Sequence, residues 1–244
     1  MRLRIIVVAA ITLSIPSIKG SSISNAENSC PTEMASIDGL FCIDKHEASL
    51  YVDSGDGSAW EEWSPFIAPS KGKKYYAASR KGVRPQSYIT GTQARDACQN
   101  VGKRLCTQSE WSKACRGPAN TTYPYGTTYQ SNKCNEHDKD PSYPHPVLSR
   151  PELKGSMSDP SINQKPNTLA ATGSYGECTN SYGVYDMVGN LHEWISDKTS
   201  AGMGMFKGGF YADTVKNGPG CNYTTTRHAF EYYSDYSIGF RCCK

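Results

Sequence analysis

Helical periodicity in this chain of 244 residues is confined to two short stretches. In residues 92–101, Ala94, Ala97, Cys98 and Val101 recur at helical spacing on one face, and Gly102 supplies a stop. A second helix is predicted from Thr107. Thr107 and Glu110 have the spacing of a capping box, in which each side chain satisfies a backbone amide that the first turn leaves unpaired. Trp111, Ala114 and Cys115 then share a face, and Gly117-Pro118 ends the run. Upstream, residues 30–52 read as a strand pair around an Asp38-Gly39 turn, stapled by Cys30 and Cys42 and followed by Ile43-Asp44-Lys45-His46-Glu47. Residues 53–85, rich in Gly, Ser, Lys and Pro, predict an irregular surface excursion. Turn formers dominate 118–180, a region that a Cys134–Cys178 bridge or bound cations would have to hold. Short strands are predicted after residue 183, and no internal repeat or low-complexity tract is found.

Composition agrees with a loop-rich globular domain: apolar residues make up 37%, beside 22 Gly, 14 Pro and 16 Tyr. The net charge of +3 is small and dispersed, which gives no argument for nucleic acid. The amino terminus does change the picture. Met1-Arg2-Leu3-Arg4, the apolar run Ile5 to Leu13 and the polar stretch ending Ser24-Asn25-Ala26 have the three parts of a secretory signal peptide. Cleavage is expected after Ala26, or alternatively after Gly20, leaving residues 27–244 as one domain that is secreted or periplasmic. The apolar run is too short to span a bilayer, and no later segment is suited to one. Glu27-Asn28-Ser29 ahead of Cys30 lacks the apolar residue of a lipid-anchor motif, so no membrane partner is expected.

All ten cysteines follow residue 26. An even number in an exported chain predicts five disulfides and no free thiol, and no pair has the Cys-x-x-Cys spacing of a zinc site. Another chemical signal lies near the carboxyl terminus. In Tyr182 to Trp194, Asp186 and Glu193 flank a Gly189-Asn190 turn. Carboxylates beside exposed carbonyls are how proteins build an oxygen cage for a hard cation.

Several motifs together carry a family resemblance. Gly102 to Trp111 (GKRLCTQSEW) resembles the "GKRLPTEAEW" motif of the formylglycine-generating enzyme, or sulfatase-modifying factor, family. Tyr123 to Gly126 resembles its "FPWG", Tyr182 to Trp194 its "YGLYDMVGNVWEW", Lys207-Gly208-Gly209 its "RGGS", and Gly239 to Cys242 its "GFRC". The motifs run in family order over roughly residues 30–244. The resemblance implies an α+β formylglycine-generating-enzyme fold, a variant of the C-type-lectin-like architecture with low regular secondary structure. It also implies a structural Ca2+ held by Asp186, the carbonyls of Gly189 and Leu191, and Glu193. Asn132 and Lys133 map to a second calcium site whose other ligands cannot be located. The competing reading is that Asp186 caps a turn and Glu193 pairs with a nearby cation. Glu47 is a further carboxylate that nothing in the sequence places at this site.

The family's enzymes oxidise a cysteine of a client sulfatase to formylglycine with copper held by two thiolates. Soft Cu(I) favours sulfur ligands, so the reaction depends on that pair. Counting from Gly208-Gly209, the resemblance puts Phe210 at the motif's serine, Asp213 at the first thiolate and Gly218 near the second; the nearest sulfur is Cys221. The missing pair argues against copper. The resemblance further implies disulfides Cys98–Cys242 and Cys115–Cys221, which would let Cys106 reach Cys243 and leave Cys30–Cys42 and Cys134–Cys178.

The expected function is a secreted, calcium-stabilised binding or structural module without formylglycine-generating activity. Its partner would be a peptide, glycan or protein, met by a Tyr-rich groove of Tyr223, Tyr232, Tyr233 and Tyr236 near Arg227 and His228. The alternative is an oxidoreductase of the same family with a divergent metal site, built from His46, His192, His228 and Asp213. Lone histidines are more often structural, which ranks this alternative lower.

Overall fold

The computed structural model describes residues 30–55, 60–137, 140 and 142–244. The expected signal peptide lies outside these residues. Strands β1 (Met34–Ile37) and β2 (Phe41–Asp44) pair antiparallel across the expected turn, where Asp38 and Gly39 both take positive φ. Two successive left-handed residues match the twist of a hairpin, which is why Asp-Gly serves there. The 53–85 expectation needs correction. Strand β3 (Ala48–Asp53) is flanked by β4 (Trp60–Glu62) and β5 (Tyr75–Ser79) in a sheet of order β4-β3-β5. Along β5, Tyr75, Ala77 and Ser79 are buried while Tyr76 and Ala78 face outward. This two-residue period is short enough for its Lys-rich and Gly-rich flanks to hide it.

Helix α1 (Gly91–Gln99) buries Ala94, Ala97 and Cys98, as its period requires. Its amino terminus is closed by a capping box of Thr90 and Gln93. A two-residue strand, β6 (Arg104–Leu105), leads into helix α2 (Gln108–Arg116), which is capped by Thr107 and Glu110 and ends at Gly117. The described part of 118–180 holds only single 3-10 turns at Pro151–Leu153 and Ile162–Gln164, and is stapled by Cys134–Cys178. The strands expected after 183 follow as β7 (His192–Lys198), β8 (Gly204–Lys207), β9 (Thr224–His228), β10 (Ile238–Phe240) and β11 (Cys242–Cys243). They build a sheet of order β10-β7-β8-β9, in which β10 and β7 run parallel, and complete another of order β1-β2-β11-β6.

All five expected disulfides are present, and they use all ten cysteines. The pair at β11 has the largest structural effect. Consecutive strand residues point to opposite faces, so Cys242 reaches α1 through Cys98 while Cys243 reaches Cys106, just ahead of α2. One short strand thereby fixes both helices against the β7 sheet, whose Trp194, Phe206 and Phe240 pack with Ala94 and Ala97. Trp111, Ala114 and Cys115 of α2 pack with Val184, Met187, Val188 and Ile195. The fold is the disulfide-rich α+β architecture that the sequence predicts. No helix among the described residues is long and apolar enough to cross a membrane.

Candidate functional site

The Gly-Asn turn forms because Asp186, Gly189 and Asn190 all adopt positive φ. At Gly189 no side chain is possible: a Cβ would lie 2.2 Å from the carbonyl oxygen of Asn135. Asn190 follows as a buried hub. Its side-chain oxygen accepts from Asn135 Nδ2 at 2.8 Å and Ala170 N at 2.9 Å, and its Nδ2 donates to Glu47. The other oxygen of Glu47 accepts from Leu191 N at 3.1 Å. The first strand region and the Asp186–Glu193 segment are therefore joined by a carboxylate that sequence reasoning left unplaced.

Glu193, on β7, is engaged on both oxygens. Oε2 accepts from Trp111 Nε1 and Arg241 Nε, each at 2.7 Å, and Oε1 accepts from Arg241 Nη2 at 2.7 Å. Asp186 accepts from Gly173 N at 2.7 Å. Burial, offset by the Gly173 amide and Arg241 and reinforced by Glu193, pushes its carboxyl up to about 6. Burial, then the charges of Asp186 and Glu193, hold the Glu47 carboxyl well above its ordinary range. Glu193 thus has the cation partner that the competing reading foresaw, and it still keeps one of its four lone-pair directions.

The fit to a hard cation can be judged from this charge balance. Three buried carboxylates share one guanidinium, which leaves surplus negative charge that either protons or a divalent ion would cancel. All the donors are oxygens, as calcium prefers. Among the described residues no three His, Cys, Asp or Glu side chains converge on one point, so backbone carbonyls would have to complete such a shell. Of the residues mapped to a second calcium site, Lys133 forms an ion pair with Glu177.

A separate cleft of about 470 Å³ opens beside β8 and β9. Asp213, which the resemblance puts at the first thiolate, is held in a turn. Its Oδ1 accepts from Lys216 N at 2.9 Å, and its Oδ2 accepts from Tyr223 Oη at 3.0 Å. Phe210 and Asp213 pair with each other as an isolated β-bridge. Gly218, near the second thiolate position, has φ +106°, a conformation that strains any side chain. Cys221 is bonded to Cys115. No thiolate pair exists in this chain.

Two of the three candidate histidines line this cleft. His192 is boxed by Phe206, Phe210 and Tyr223 at ring separations of 4.7, 5.0 and 5.2 Å, and burial, then His228, lowers it to about 3. His228 stacks on Phe206 and Tyr233. His46 is not among the lining residues; it stacks on Tyr185, and burial, with Arg241, Lys81 and Lys45, lowers it to about 4. Of the Tyr-rich set, Tyr223 and Tyr233 line this cleft with Arg227. Tyr236 lines an adjoining cleft of about 530 Å³ that shares Phe210, Asp213, Lys216 and Ser237, and Tyr232 is 85% exposed. Together the clefts are lined by aromatic rings, by His192 and His228, and by Lys216 and Arg227 beside Asp213 and Asp235, and no cysteine lines them.

Comparison with known proteins places these features. The Sulfatase-modifying factor enzyme 1-like domain family matches residues 19–244. A protein of Bos taurus named "Inactive C-alpha-formylglycine-generating enzyme 2" is 27% identical over 164 residues, covering 65% of this chain and 49% of its own. "Formylglycine-generating enzyme" of Mus musculus is 30% identical over 114 residues, covering 46% of this chain and 27% of its own. The chain spans about half the length, or less, of these relatives. Among solved structures, PvdO from Pseudomonas aeruginosa is similar at 17% identity and a TM-score of 0.49, over 83% of this chain and 79% of that one. With the family matched across nearly all of its length, this chain belongs to the sulfatase-modifying factor, or formylglycine-generating enzyme, family.

Proposed function

We propose that this family member is not a cysteine oxidase but an exported, calcium-stabilised binding or structural module, formed by residues 27–244 as one domain. The observation that carries the reading is the state of its sulfur: all ten cysteines lie in disulfides, and Asp213, which the family resemblance puts at the first thiolate position, is held by Tyr223. Copper(I) bound by thiolates has no ligands to use here. The word "inactive" in the names of the Bos taurus and Mus musculus relatives supports the same reading. Export is supported by the basic and apolar amino terminus together with the disulfide density. Calcium would be held by Asp186, the carbonyls of Gly189 and Leu191, and the free lone pair of Glu193, with Glu47 adding charge beside them. It would supply structure rather than chemistry. A peptide, glycan or protein ligand would occupy the trough between Phe210, Tyr223 and Tyr236.

The test is direct. The unreduced protein is incubated with Cu(I), oxygen and a peptide carrying the cysteine motif of a sulfatase, and the peptide is weighed by mass spectrometry. No conversion of cysteine to aldehyde is expected. Aldehyde formed at a rate dependent on this protein would refute the reading, and copper found at stoichiometric level after purification without chelator would point to the oxidoreductase instead.

A further inference from the structure

The β4-β3-β5 sheet buries one face, where Leu50, Val52, Tyr75 and Ala77 pack with Ala94 and Ala97 of α1. Residues that alternate with these build its other face. There Tyr51 of β3 stands between its register partners, Glu62 of β4 and Tyr76 of β5, and Trp60 lies opposite Asp53. The Trp60 ring packs on the Tyr76 ring with centroids 3.8 Å apart, yet the residue stays 54% exposed. An indole held by one neighbour and open elsewhere leaves a large apolar area in water.

The polar groups around these rings hold one another in place. Arg80 Nη2 donates to Glu62 Oε1 at 2.6 Å, and Tyr51 Oη donates to the same oxygen at 3.2 Å. The Arg80 guanidinium also lies 5.0 Å from the Tyr51 centroid, and Lys74 Nζ lies 5.3 Å from that of Tyr76. The Glu62 side chain is 63% exposed, and its Oε2 takes no hydrogen bond from a described residue. The face thus offers a carboxylate oxygen whose direction two neighbours set. Asp53 and Glu62 are matched by Lys74 and Arg80, while Glu61 alternates to the opposite face with its register partner Val52. These charges cancel, and the ring platform sits on a neutral face.

We infer that this face binds a neutral polysaccharide. A pyranose ring has a flat side of polarised C–H bonds, which the negative face of an indole attracts, and a rim of hydroxyl groups. Trp60 with Tyr76 supplies the platform, and at its margin Glu62 Oε2 accepts from hydroxyls. A cationic ligand would have to displace Lys74 and Arg80 from the faces of Tyr76 and Tyr51. An anionic ligand would meet Asp53 and Glu62. A protein hot spot sets its anchor in a desolvated pocket, and a Trp60 ring pinned to Tyr76 is not free to enter one. The face shares no residue with the clefts around Asp213, so this inference stands apart from the proposed function.

Native affinity electrophoresis of the full chain through gels holding hydroxyethylcellulose, xylan, mannan or dextran tests it. At least one of these neutral polymers should retard the protein. Titration with that polymer, followed by tryptophan fluorescence, should give an affinity that changes less than about twofold between roughly 50 and 500 mM salt, because no counterions are released. In the gels, Trp60→Ala should weaken binding by about tenfold or more, Trp60→Tyr should keep most of it, and Glu62→Gln should weaken it by about threefold. Both replaced side chains are exposed, so melting temperatures should stay at the wild-type value and isolate the binding effect. Retardation by none of the four polymers would overturn the inference, and so would wild-type binding by Trp60→Ala. Tighter binding to dextran sulfate than to any neutral polymer, lost on adding salt, would overturn it in favour of a polyanion.

Discussion

Arg241 spends every N–H it has. Nε and Nη2 take the two oxygens of Glu193, Nη1 reaches the carbonyls of Asp44 and Lys45, and Nη2 also reaches Tyr185 O at 2.8 Å. Only a planar fork with five donors can serve all of these at once. Lysine offers three donors from one point, so Arg241→Lys should leave Glu193 and buried carbonyls short of partners. The expected cost is about 3–5 kcal/mol, read as a lower urea midpoint at unchanged slope. A midpoint equal to wild type would show that the ion pair does not hold the motif. Residue-scale legibility follows the same geometry. Asp186, Gly189 and Glu193 were visible because their spacing is local. The attachment of Glu47 to Asn190 was not, since it joins residues 143 positions apart and no short motif records it.

Elements were legible where their signals are local. Thr107 and Glu110 announced α2 to the residue because both halves of a capping box lie within one turn. Strand β5 was missed because only Tyr75, Ala77 and Ser79 carry its period, and its partner β3 is distant in sequence. The cysteines at β11 permit an element-scale prediction. Cys98–Cys242 and Cys106–Cys243 close nearly the same long loop, with separations of 144 and 137 residues. With the first bridge in place, the second restricts only a short ring. Replacing Cys106 and Cys243 together by Ser should therefore cost roughly 2–3 kcal/mol, less than the cost expected for a loop above 100 residues. By calorimetry that is a fall of about 5–10 °C in melting temperature. An unchanged melting temperature would mean that Cys98–Cys242 alone anchors β11.

At the scale of the molecule, stability rests on long-range closure more than on regular structure. The buried carboxylates Glu47, Asp186 and Glu193 outnumber the guanidinium that serves them. If calcium supplies the difference, chelation should lower the melting temperature by several degrees. Saturation at a hundredfold excess over Kd would contribute about 2.7 kcal/mol. Calcium should restore the original value, and magnesium, which demands stricter octahedral geometry, should do so less well. Identical melting curves with and without chelator would remove the structural ion from the account. The disulfide map has another consequence, for how the chain reaches this state. Ten half-cystines admit roughly nine hundred complete pairings, by extension of the count for eight. Three of the native ones join residues more than 100 positions apart, and two of those meet at adjacent residues of one strand, where a swap of partners is a near neighbour of the correct answer. Search among pairings, rather than collapse of the core, should therefore set the pace of folding, and a thiol-shuffling catalyst should govern yield.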